Sequence, residues 1–80
     1  MWVKFGTINL NLEHVVEFHL DPKDSKSIVF ETIKERVVYK FESTSIRDLV
    51  LNHINWNLCG DPPYVLNLDN YIQELKREED

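Results

Sequence analysis

The chain has no alanine, one cysteine, two glycines and three prolines among its 80 residues. The lone thiol, Cys59, cannot close an internal disulfide, which excludes the framework of a small secreted domain. Gly6 and Gly60 stand far apart, so no glycine-rich phosphate loop can form. No apolar run approaches the roughly 20 residues that cross a bilayer. None opens the chain behind a positive charge, so no signal peptide is expected. These absences describe a reduced, cytoplasmic protein without membrane association, and at this length a single domain, 1–80.

Basic charge is also scarce. Nine Lys and Arg stand against 14 Asp and Glu, a net charge of −5. Residues 69–80 carry Asp69, Glu74, Glu78, Glu79 and Asp80 against Lys76 and Arg77, which leaves the rest of the chain nearly balanced. A phosphate backbone repels such a balance, so nucleic acid is a disfavoured partner.

In place of alanine the chain has Val and Ile. Such branched side chains suit a pleated surface, and much of the sequence alternates accordingly. Around Gly6-Thr7 the spacing predicts a hairpin with a type II′ turn, pairing Phe5 with Ile8 and Val3 with Leu10 on one face. Val16, Phe18 and Leu20 alternate with Val15, Glu17 and His19 as a half-buried strand, which Asp21-Pro22 ends. Residues 28–42 read as a second hairpin about Lys34-Glu35. Its expected pairs are Ile28 with Phe41, Phe30 with Tyr39, and Thr32 with Val37.

The period then changes. Ser43-Thr44-Ser45 supplies N-cap candidates, with Ser45 and Asp48 spaced as a capping box. Ile46, Leu49, Val50, His53 and Ile54 form one helical stripe, and Gly60 with Pro62-Pro63 ends it, giving a helix at about 45–57. Tyr64-Val65-Leu66 fits a short strand or an extended linker. Leu68, Tyr71, Ile72 and Leu75 mark a second helix at about 68–78, whose acidic end should fray. The expected fold is α+β: a four- to five-stranded antiparallel meander packed by one helix, with a second helix at the C-terminus.

No catalytic set emerges. Cys59 and His53 supply two of the three groups a nucleophilic site requires, but nothing beside Cys59 would acidify it. Among His14, His19, His53 and Cys59, no spacing brings metal ligands together, so neither metal nor cofactor is expected. Glu13, Glu17 and Glu31 read as solvent-facing strand carboxylates. Pro62-Pro63-Tyr64 lacks the spacer of a proline-rich ligand motif and reads as a rigid linker.

The sheet's reverse face is unusually apolar for one meeting water, with Trp2, Val15, Val29, Ile33 and Val38 among its charges. Either the last helix folds over it or a partner does. Trp2-Val3-Lys4, then Ile8-Asn9-Leu10, then Val15-Val16-Glu17-Phe18 resembles a group of small bacterial proteins that open in the same way. The likeness covers about the first quarter of the chain and implies no activity.

The function expected is therefore a non-enzymatic protein-interaction or regulatory module, whose partner is another protein, with a homodimer among the candidates. The alternative is a nucleic-acid-binding accessory domain, because Lys4, Arg36 and Lys40 fall beside Trp2 on the same expected face. Trp56, between Asn55 and Asn57, is a further candidate contact residue.

Overall fold

Gly6 sets the first element. The computed structural model describes residues 1–78. In it, strands β1 (Trp2–Phe5) and β2 (Ile8–Asn11) pair antiparallel in the expected register, Val3 with Leu10 and Phe5 with Ile8. Gly6 has φ +59° and Thr7 does not enter the positive region, which is the type II′ pattern.

Asn11 then diverts the chain. Its side-chain oxygen accepts the Glu13 N–H (3.0 Å), capping a single 3₁₀ turn, Leu12–His14. That turn separates the first hairpin from the next three strands, β3 (Val15–Leu20), β4 (Ser27–Thr32) and β5 (Arg36–Lys40). The strands therefore do not form one continuous meander. They divide into two three-stranded sheets, β3-β4-β5 and β2-β1-β6, where β6 is Val65–Asn67. β6 lies parallel to β1, pairing Val65, Leu66 and Asn67 with Trp2, Val3 and Lys4. The extended segment after Pro62-Pro63 is thus a strand, anchored by the Trp2 N–H donating to Tyr64 O (2.8 Å).

Two registers differ from expectation. β3 pairs with β4 through Val15–Thr32 and Glu17–Glu31, leaving Val16 as the extra residue of a bulge. The bulge reverses the alternation. Val15 and Phe18 both pack against the core, while Val16, expected inside, is 70% exposed and Leu20, at the strand end, is exposed as well. In the second hairpin Ile28 faces Tyr39 and Phe30 faces Val37, two positions from the expected pairing. The cause is Thr32. Its Oγ1 accepts the N–H groups of Lys34 and Glu35 (3.2 and 3.0 Å), and its own N–H donates to Glu35 O (2.9 Å), so Ile33-Lys34 forms the tip. A shift of two keeps every side chain on its face.

Helix α1 (Thr44–Cys59) begins at Ser43, whose Oγ accepts the Ile46 N–H (3.2 Å). Ser45 and Asp48 make no capping box; Asp48 instead accepts from Arg47 (2.8 Å). Val50 and Ile54 are buried, and Leu49 sits exposed on the flank of the stripe. Helix α2 (Leu68–Glu78) starts where Asn67 Oδ1 accepts the Asn70 N–H (3.1 Å). Of the acidic end expected to fray, Glu79 and Asp80 lie outside the described residues.

One core results. Val3 and Leu10 from the first sheet, Ile28, Phe30 and Tyr39 from the second, Val50 and Ile54 from α1, and Leu68 and Ile72 from α2 form a single buried cluster. Tyr39 is central to it. Its ring packs on Phe5 and Phe30 at 5.2 and 5.0 Å, and its hydroxyl donates to Val3 O (3.3 Å) across the two sheets. Apolar burial at roughly 25 cal/mol per Å² makes this cluster the main stabilising contribution. The buried residues of α2 thus share the core with those of α1, while on the reverse face of β3-β4-β5 Val29 is buried and Val38 is exposed. Among the described residues no helix is long and apolar enough to cross a membrane.

Candidate functional site

The two sheets separate the residues expected to share a contact face. Trp2 and Lys4 lie on β1; Arg36 and Lys40 lie on β5 of the other sheet. Both β5 cations stand near a carboxylate: Arg36 bonds Glu31 (2.8 Å), and Lys40 is 3.8 Å from Asp24. Trp56 is 81% exposed on α1. The premise of one basic face beside Trp2 therefore does not hold, because β1 and β5 are not neighbours in a common sheet.

What converges instead is apolar. Val16, lifted outward by the bulge, and Ile33, 90% exposed at the hairpin tip, line an open depression of about 540 Å³ together with Trp2, Leu10 and Val15. Glu13, His14, Lys34 and Glu35 add polar and charged groups to its lining. Scattered apolar residues are ordinary on a surface, and Trp56 or Tyr64 alone would need no explanation. Ile33 differs, because a hairpin tip normally takes Asn, Asp or Gly, and the fold gains nothing from isoleucine there. Val16 also borders a second groove, beside the free edge of β3, with Leu12, Val15, Phe18 and Leu58.

A second constellation lies on the reverse face of β3-β4-β5. Glu17 and Glu31 are direct cross-strand partners, and Glu31 in turn faces Arg36 on β5. His19, two residues beyond Glu17 on the same side of the strand, completes the group. Its Nε2 lies 3.8 Å from Glu17 Oε1 and 3.8 Å from Glu31 Oε2. The Arg36 guanidinium, on Glu31 Oε1, holds that carboxyl below its ordinary range. The other ring nitrogen, His19 Nδ1, is 3.0 Å from Leu20 O.

The remaining ligand-type residues stay apart from this group. His53 stacks flat on Tyr71, ring centroids 3.8 Å apart, which ties α1 to α2. Cys59 is an exposed free thiol at the end of α1. The sequence pattern alone marks Glu17 and Glu31 as solvent-facing strand carboxylates and sets His19 only against the other histidines and Cys59. The shared parity of 17 and 19 was legible; the placement of Glu31 opposite them depends on the bulge. Comparison of the chain with protein-family models, curated proteins and solved structures found no match.

Proposed function

We propose that this chain is a non-enzymatic protein-interaction module, and that its contact surface is the apolar depression bounded by Trp2, Val16 and Ile33. The observation that carries the reading is the exposure of Ile33 and Val16 on one concave surface beside an aromatic side chain. Both side chains are largely exposed, so burial within the chain does not account for their apolar character. Aromatic anchors surrounded by small apolar groups are the usual centre of a protein contact. The adjacent free edge of β3 offers backbone groups to an extended partner segment. The one exposed thiol suits a reducing compartment, which supports a cytoplasmic setting.

The test is capture from the native host with the full chain, beside Ile33→Asp and Val16→Asp. Both substitutions sit at exposed positions and should leave thermal stability unchanged, so folding and binding separate. A partner retained by the parent and lost by both variants supports the reading. Light scattering over a range of concentrations shows whether that partner is a second copy. A capture profile identical in all three proteins, together with a monomeric parent, overturns it.

A further inference from the structure

We propose that Glu17, His19 and Glu31 form a binding site for one divalent transition-metal ion of the zinc class. The inference is independent of the apolar depression and begins with the histidine. A backbone carbonyl can only accept, so the contact between Nδ1 and Leu20 O (3.0 Å) places the ring proton on Nδ1. With Nδ1 so engaged, Nε2 is the ring nitrogen left to meet a metal ion. It lies 3.8 Å from a carboxylate oxygen of Glu17 and 3.8 Å from one of Glu31. Three ligand atoms therefore converge, all within 4.8 Å of one another.

The spacing suits a metal. With two separations of 3.8 Å and a third of at most 4.8 Å, simple triangle geometry puts the point equidistant from the three atoms within ~2.5 Å of each, against about 2.0–2.2 Å for zinc bonds to nitrogen and oxygen. A few tenths of an ångström of side-chain rotation closes the difference. Side-chain exposures of 62% for Glu17, 39% for His19 and 31% for Glu31 leave room for that movement and for water in the fourth position.

The supporting groups are already in place. Metal-bound imidazoles hold the second ring nitrogen on a carbonyl or carboxylate, as His19 does on Leu20 O. Arg36 binds Glu31 through Oε1 and leaves Oε2 turned to the site. Two glutamates placed directly opposite one another across a strand pair repel, and Arg36 compensates only one of them. A bound ion neutralises the other. One nitrogen and two oxygens select zinc, cobalt or nickel over magnesium and calcium, which prefer oxygen alone.

Zinc chloride titrated into the full metal-free chain, followed by calorimetry, tests the site. The expected result is one ion per chain, insensitive to an equal concentration of magnesium. His19→Gln and Glu17→Gln should each weaken it at least 10-fold, while a His14→Gln, His53→Gln, Cys59→Ser triple variant binds as the parent does. Nitrogen chemical shifts give a second reading: zinc should move the Nε2 resonance of His19 and leave Nδ1 protonated. Circular dichroism confirms that the variants fold. No zinc binding below millimolar concentration, or binding that survives both single substitutions, overturns the assignment.

Discussion

Replacing Gly6 by the two enantiomers of alanine separates backbone strain from every other effect at the first turn. Gly6 has φ +59°, and a Cβ built there meets no atom within 4 Å. An L-alanine methyl group therefore adds no clash with the rest of the protein, and the remaining cost is its own positive-φ backbone, about 1–3 kcal/mol. The residue also restricts the unfolded chain, which offsets part of that cost. A net loss of about 1 kcal/mol follows, equivalent to a fall of about 4–8 °C in Tm for a domain of this size. D-Alanine carries the same methyl group but accepts the positive φ. Only the restriction of the unfolded chain remains, so it should stabilise by roughly 0.4–1 kcal/mol. The Gly6 N–H donates to Asp69 Oδ2 (2.9 Å), and both variants keep that N–H, so the tie between the first hairpin and α2 should be unchanged. Ligation at Cys59 gives access to both variants, and thermal and urea unfolding by circular dichroism reads them. The two enantiomers should straddle the parent. Equal shifts in the same direction would refute the assignment of a strained left-handed turn.

Burial depresses the pKa of His53 below its ordinary 6.5, outweighing the opposing charge of Glu74. The unfolded chain therefore takes up that proton first. The His53 contribution to stability is intact above pH 6.5 and lost as the pH falls through the folded-state value. Urea unfolding at pH 7.5 and 5.5 should show a larger loss in the parent than in His53→Gln; parallel losses would remove the effect. Ile54→Ala, in the fully buried cluster, should cost about 2–5 kcal/mol. Ile33→Ala, at the exposed tip, should stay within about 0.5 kcal/mol, and a large loss there would mean that Ile33 supports the fold.

Local chemistry made much of the fold legible. The Gly6 turn, the burial of Val3 and Leu10, both helices and the Gly60-Pro62-Pro63 end of the first follow from φ preferences, periodicity and capping among neighbours in sequence, although Ile8 is exposed. The second hairpin was mispaired by two, because Thr32 organises the turn through its hydroxyl. Its faces survived because the displacement was even. The candidate sites were less legible. Val16 alternates as a buried residue would, and only the pairing of β3 with β4 reveals that it is bulged outward.

Residue chemistry and spacing alone thus determined which stretches become strands or helices, and which face most of them bury. Those choices are made among residues a few positions apart, where steric and hydrogen-bonding preferences act directly. The tertiary structure decided how the strands divide between two sheets, that β6 pairs parallel with β1 some 60 residues away in the chain, and that α2 joins the core. It also decided that Glu31 meets Glu17 and His19. Such contacts depend on which of several similar apolar surfaces bury one another best, and that competition involves the whole chain at once.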